Sequence, residues 1–324
     1  MIIHKLMLTL SVLIFVSITA CGGGDGDGGG PATSTDNFAT LSCTSTVNDS
    51  SFNGTNVVRI RSENKAPNTY EQISVRGGNA TLDYMVHTNA NPKALLILIA
   101  GGQLNAGITG TVGQQALTAS GNYLVRSAHL FAAQGYKVIT VNRASDWIDF
   151  RFPAGSTAGY AMDGYRTSPE HFNDLQAVIN QENISPAMPV AIAGTSRGAI
   201  SAVAQHTLAE YVLLFAPVTS GNNGSPVGST GVQASDLGNK PVHLIWHESD
   251  GCIASKPTNA DTLAGLIANV TAVEVSGGLN YPQLSGRATN KECDGSKTFH
   301  GFLAIESCVV ADAMSWLNSE IQTP

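Results

Sequence analysis

From about residue 70 onward the chain alternates between two hydrophobic rhythms. "EQISVR" and "ATLDYMVHT" alternate apolar and polar positions with period two, which predicts a β-hairpin. "ALLILIAGG" is an unbroken apolar run stopped by two glycines, as expected of a strand buried on both faces. "YLVRSAHLFAAQG" follows with helical spacing and a terminal glycine, then "YKVITVNRASD" as the next strand. "SPEHFNDLQAVINQEN" opens with a Ser-Pro-Glu start signal and predicts a helix. "MPVAIAG" is a strand, and "SRGAISAVAQHTL" a helix starting at the serine. Two more buried strands, "YVLLFAP" and "PVHLIWHES", precede the helix "NADTLAGLIAN", the strand "VTAVEVSG" and a closing helix "VVADAMSWLNSEI". Strands alternating with helices imply right-handed crossovers and an α/β fold with a mostly parallel sheet. No internal repeat or second shift in composition breaks this pattern, so residues 41–324 are expected to form a single domain.

The N-terminus follows other rules. "MIIHK" and the apolar "LMLTLSVLIFVSIT" have the order of a signal peptide and are too short for a comfortable membrane span. The segment ends "ITAC", and small residues directly before a cysteine resemble a bacterial lipobox, which makes residues 1–20 a lipoprotein signal peptide and Cys21 its lipidated residue. Residue 22 is Gly rather than Asp, which in a Gram-negative envelope implies the outer membrane. "GGGDGDGGGPATSTDN" cannot bury apolar area, so 21–40 reads as a flexible tether reaching roughly 20–25 Å. A bacterial cell-envelope location follows, with the membrane reached through Cys21. Export also changes the meaning of the other four cysteines, Cys43, Cys252, Cys293 and Cys308. An even count in an oxidising compartment predicts two disulfides, with three connectivities open.

The hydrophobic fraction of 43% fits a buried globular core, and the net charge of −7 comes with no basic run. Nucleic-acid binding is therefore set aside. "AGGQLNAG" lacks both a G-x-G-x-x-G pattern and a Walker lysine, so nucleotide binding is unsupported as well.

The candidate chemistry lies in "GTSRG", residues 194–198. Gly-x-Ser-x-Gly arises easily by chance in a Gly- and Ser-rich chain, but here it stands between an apolar strand and a helix. In that position the turn is sharp enough to lift the Ser196 hydroxyl clear of the sheet, and side chains at 194 or 198 are expected to collide with neighbouring strands. A serine hydroxyl needs a base oriented by a carboxylate. The loop "HESDGC" after "PVHLIW" offers Asp250, with Glu248 as the competitor, and "KTFHGF" after the last strand offers His300. All three residues follow strands and so reach one edge of the sheet, where open α/β sheets place their sites. An oxyanion hole needs two backbone amides. Arg197 supplies one, and Gly102 or Gln103 the other. His243 and His247, on or beside a buried strand, read as structural, and Arg166 and His171 as buried scaffold holding loops. No cofactor or metal is required.

"GTSRG", "SDGC" and "FHGF", in that order, resemble the serine hydrolases of the α/β-hydrolase superfamily over roughly residues 70–320. The resemblance implies an α/β-hydrolase fold and a Ser196–His300–Asp250 triad that cleaves ester-type bonds through an acyl-enzyme. "RTSPEH" before the elbow is similar to a bacterial subgroup with paired cysteines around acid and base. That likeness implies a Cys252–Cys293 disulfide and leaves Cys43 to Cys308. One departure is Ala100, which stands where the family often has a histidine before the oxyanion glycines. Only about 23 residues separate "YVLLFAP" from "PVHLIW", so no large lid is expected. The cleft is expected to be bordered by loops near 103–121 and 145–168, with Trp147 and Phe150 as candidate lining. The expected substrate is a small-molecule ester and the expected state a monomer. Peptide or thioester cleavage by the same triad and a non-catalytic binding lipoprotein are the alternatives.

Overall fold

The first element in the computed structural model is one the hydrophobic pattern does not announce: Ala39–Cys43 forms strand β1. It begins inside the stretch expected to be tether. The structure describes residues 38–45, 67–118, 121–147, 158–219 and 233–322, all within one compact unit. The expected signal peptide, Cys21 and most of the tether lie outside these residues, as does Phe150.

The predicted hairpin forms as β2 (Thr69–Val75) and β3 (Ala80–His87), and "ALLILIAGG" supplies β4 (Leu95–Ile99). A short antiparallel pair, β5 (Ile108–Thr109) and β6 (Leu117–Thr118), leads to helix α1 (Tyr123–Ala133), which Asn122 caps by accepting from the Leu124 amide at 3.1 Å. After β7 (Lys137–Val141) comes an unforeseen helix, α2 (Ala158–Arg166). Its sequence "AGYAMDGYR" sets Ala158, Ala161, Met162 and Tyr165 at helical spacing, but it is short and carries two glycines, which lower helix propensity. What holds it is burial of Met162, Tyr165 and Arg166. Helix α3 (Pro169–Gln181) starts as predicted, with Ser168 accepting from the His171 amide at 3.2 Å and Pro169 in the first turn. The remaining elements are β8 (Val190–Thr195), α4 (Gly198–Ala204), β9 (Tyr211–Phe215), α5 (Ala234–Leu237), β10 (Val242–His247), α6 (Pro257–Leu266), β11 (Val270–Gly277) and α7 (Glu306–Gln322).

The described strands form a nine-stranded sheet in the order β1-β11-β10-β9-β8-β4-β7-β3-β2. Pairing is parallel from β1 to β7 and antiparallel only where β3 and β2 complete one edge. This is the mostly parallel arrangement that alternation of strands and helices predicts. Residues on β4 are fully buried and alternate between two cores. Leu96 and Leu98 pack under α1 and α7, while Leu95, Ile97 and Ile99 pack under α2, α3, α4 and α6. Each buried leucine contributes roughly 1.5–3 kcal/mol relative to exposure, so the doubly covered centre is the rigid part of the molecule. Strand β4 is also where strand order reverses, its successor β7 lying on one side and β8 on the other. The crevice beyond the carboxyl ends of β4 and β8 is thus the topological switch point. Among the described residues no separate lid domain covers it.

Both disulfides join the pairs expected from the resemblance. Cys43–Cys308 ties β1 to α7, and Cys252–Cys293 links the loop after β10 to the loop before His300.

Candidate active site

The chain turns at the end of β8 as an elbow requires. Ser196 has φ +52°, a left-handed conformation that costs a non-glycine residue on the order of 1–2 kcal/mol. Three backbone hydrogen bonds hold it there: its amide donates to Phe215 O at 2.9 Å, and its carbonyl accepts from Ala199 at 3.1 Å and Val218 at 3.2 Å. The two motif glycines are obligatory for different reasons. A Cβ on Gly198 would lie 2.2 Å from Ile99 O, a collision with the neighbouring strand as expected. A Cβ on Gly194 would instead lie 2.2 Å from Gly198 O, so there the obstacle is the first turn of α4 and not a strand. The helix itself begins at Gly198, two residues later than the serine expected to open it.

The candidate acid and base meet across the loops beyond β10 and β11. His300 Nδ1 donates to Asp250 Oδ2 at 2.8 Å, and both groups are 4% exposed. Asp250 Oδ1 accepts the Cys252 amide at 2.8 Å, so both carboxylate oxygens are engaged. Glu248, the competing acid, is exposed. With Nδ1–H committed to Asp250, the other ring nitrogen of His300 is left as the basic one, and His300 shares a cleft with Ser196.

Two groups hold the loop that carries His300: Arg126, which sequence reasoning missed, and His247, which it read as structural. Arg126 on α1 donates to Gly121 O at 2.6 Å, Gly295 O at 2.9 Å and Gly301 O, and its Nε pairs with Glu306 at 2.8 Å. Gly301 in turn sits so close to Gly295 that a Cβ there would be 1.7 Å from the Gly295 carbonyl. The available signal was one arginine inside an otherwise apolar helical stretch. His247 is the second group. Its Nε2 donates to Gly277 O at 2.7 Å, its Nδ1 accepts the Ser249 amide at 3.0 Å, and its ring stacks on Phe299 at 4.1 Å. Burial lowers its pKa and keeps it in this neutral form. His247 thus bridges the acid loop and the residue before His300. His243 is bound to Thr271 O and Asp312, stacked on Trp316.

The loop after β4 closes as a turn, with the Leu104 amide donating to Gly101 O at 3.2 Å and Gly102 at φ +60°. Gly101 packs against Ser196 itself, since a Cβ there would be 2.9 Å from Ser196 Cβ. Gly102, Gln103 and Arg197 all line the cleft with Ser196 and His300, and its volume is about 370 Å³. Its far wall is polar, built by Arg287, Asn290, Asp294 and Ser296 beside the Cys252–Cys293 bridge. Asp294 is half-buried, which on its own raises its pKa, but hydrogen bonds from Ser296 and Ser285 hold it below the usual carboxylate range.

Of the two loops expected to border the cleft, only the first does so, through Gln103, Asn105, Gly121 and Asn122. None of the described residues in 145–168 lines it. Residues 158–166 form α2, and Trp147 packs on Tyr165 with ring centroids 4.9 Å apart. Arg166 and His171 are buried, as scaffold residues should be. Among the described residues no group of three metal-ligating side chains comes together, and no helix is long and apolar enough to cross a membrane.

No protein-family model matches the chain, and no curated protein sequence matches it either. Among solved structures it is similar to a dienelactone hydrolase from Anabaena variabilis, with 10% identity, 78% of this chain and 99% of that one covered, and a TM-score of 0.52. A sugar hydrolase from Lactococcus lactis has 17% identity, coverage of 78% and 98%, and a TM-score of 0.48. A cold-adapted esterase from an Arctic intertidal metagenomic library has 14% identity, coverage of 78% and 93%, and a TM-score of 0.48. At such identities the likeness is one of architecture, and the first of the three carries it: the nine-stranded, mostly parallel sheet with helices on both faces is an α/β-hydrolase fold.

Proposed function

We propose that this chain is a serine hydrolase that cleaves carboxylic ester bonds through an acyl-enzyme. The observation that carries the reading is the buried 2.8 Å hydrogen bond from His300 to Asp250 in the cleft that Ser196 enters from a strained, glycine-flanked turn. His300 takes the Ser196 proton at Nε2 as Oγ adds to the substrate carbonyl. The new oxyanion is met by the Arg197 amide and by that of Gly102 or Gln103. Collapse breaks the bond to the leaving alkoxide, which receives the proton from His300 and departs as alcohol. Water, deprotonated by the same imidazole, then adds to the acyl-enzyme, and a second collapse releases the acid and restores Ser196. Asp250 holds the imidazole in the required tautomer and stabilises the imidazolium.

The polar wall suits esters with short or polar groups better than long acyl chains, which need an apolar tunnel. The test is labelling with a fluorophosphonate probe. The oxidised wild type is expected to label and Ser196→Ala not to. An unlabelled, correctly folded wild type overturns the reading. Aryl esters graded by acyl length, with peptide and thioester controls, then separate esterase from peptidase and thioesterase.

The N-terminal reading is carried by residues 1–21, with Cys21 as the lipid-bearing residue of an envelope protein. The two disulfides support an oxidising compartment. Expression with a radiolabelled fatty acid is expected to label the wild type and not Cys21→Ala, and equal labelling of the two refutes lipidation.

A further inference from the structure

The unforeseen helix α2 carries groups that the triad mechanism leaves unused. Its last residue, Arg166, is fully buried and is not part of the cleft lining. Arg166 Nη1 donates to Ser201 Oγ on α4 at 2.9 Å, and Nη2 donates to the carbonyls of Ala100 and Gly102, both at 3.1 Å. Gln205 closes the back of the arrangement by donating to the Arg166 carbonyl at 2.8 Å. One turn earlier on α2, Asp163 pairs with the guanidinium of Arg197, the residue after the nucleophile. A single helix therefore grips both chain segments expected to supply oxyanion amides.

Resting on the serine-hydrolase reading, we propose that Arg166 is a positioning residue that aims the Gln103 amide into the oxyanion hole, while Asp163 anchors the Arg197 side of the same hole. The argument is one of peptide geometry. No described peptide bond is cis, and in a trans peptide the C=O and the following N–H point in opposite directions. The Gly102 carbonyl is turned inward onto Arg166, so the Gln103 N–H is turned outward, to the side where Gln103 lines the cleft. Gly102 permits this because its φ of +60° is open to glycine. Of the two candidate donors, Gln103 is the one this geometry selects. Holding two carbonyls and a hydroxyl from one side chain calls for the planar fork of arginine, which a lysine ammonium cannot reproduce.

The experiment compares wild type with Arg166→Met, Arg166→Lys and Gln103→Pro on an aryl ester, with rates normalised to fluorophosphonate-titrated sites. A trifluoromethyl ketone, which binds as an oxyanion adduct, is included as inhibitor. Arg166→Met is expected to lower kcat about 10²-fold, the scale of losing one oxyanion donor, with KM within about twofold. Arg166→Lys is expected to recover part of that loss. The ketone inhibition constant is expected to rise in step with the fall in kcat/KM. Gln103→Pro deletes the proposed donor without touching Arg166, and the same kcat defect is expected, so it decides the matter if the Arg166 variants do not fold. A lowered melting temperature with normal kcat per titrated site and an unchanged ketone constant makes Arg166 merely structural and overturns the proposal, as does full kcat in folded Gln103→Pro. A wild type that neither labels nor turns over any ester instead removes the hydrolase reading, and this proposal with it.

Discussion

At the scale of single residues, two substitutions separate geometry from chemistry. Gly198→Ala places a methyl 2.2 Å from the Ile99 carbonyl, an atom held in the sheet that cannot move away. A shift of the elbow is the only relief. The variant is expected to lose several kcal/mol of stability, on the scale of severe overpacking, together with fluorophosphonate labelling. A normal melting temperature and normal labelling refute this account of the motif glycine. Asp250→Asn keeps the shape but offers His300 Nδ1 the wrong partner, and kcat is expected to fall about 10³–10⁴-fold with little change in KM. A loss under tenfold means that another carboxylate orients the base. The candidates Ser196 and Asp250 could be picked out because they stand just past strands, and His300 because it lies in the long loop after the last strand, so the sequence shows their edge of the sheet. The anchoring role of Arg126 could not be picked out, because three of its acceptors are backbone carbonyls, and a carbonyl has no sequence identity.

Among the elements, the two disulfides are expected to behave differently. Cys252 and Cys293 both border the cleft, and the Cys252 amide is bonded to Asp250. Replacing both by serine is expected to cost about 2–4 kcal/mol and also to lower kcat, since the acid and base loops lose their link. Replacing Cys43 and Cys308 frees an edge strand whose register with β11 runs from Ala39–Val273 to Cys43–Gly277, far from Ser196. Here the expected result is faster amide exchange over 39–43 and lower stability, with kcat retained. Equal effects of the two pairs on kcat contradict this division. Strand β1 could not be read from the sequence because a five-residue edge strand carries too little pattern, and its partner lies over two hundred residues away. Helix α2 was hidden for another reason. Ala158, Ala161, Met162 and Tyr165 do fall at helical spacing, but nine residues with two glycines make a short segment of low propensity, and burial of Met162, Tyr165 and Arg166 decides its form.

The whole molecule carries a pH dependence set by buried imidazoles. Burial lowers the His87 pKa from 6.5 to about 4 and the His171 pKa to about 3, the latter helped by the nearby Arg166 charge. Both are depressed on folding. Above pH 6.5 neither state binds these protons, and between 6.5 and about 3–4 only the unfolded chain does, so stability is lost as pH falls through that window. His87 alone accounts for up to ~3 kcal/mol. His87→Phe keeps a ring of similar shape and removes the titration. Its unfolding free energy is expected to fall less steeply with acid than wild type, by about 1.4 kcal/mol per pH unit near pH 5. Identical slopes rule His87 out as the source.

By itself the sequence determined the alternation of strands and helices, and hence the parallel sheet and the edge at which its loops gather. It also singled out the candidate nucleophile, acid and base, because these depend on local order along the chain: strand, glycine-flanked turn, helix, then two later post-strand loops. Tertiary structure decided what depends on facing partners. It set Asp250 over Glu248, since Asp250 is buried and hydrogen-bonded to His300 while Glu248 is exposed. It brought a short glycine-containing segment into a helix, and it turned the Gly102 carbonyl inward onto Arg166. Side-chain periodicity reports which face is buried. It does not report which backbone group another segment will meet there, and in this protein those meetings position the candidate catalytic groups.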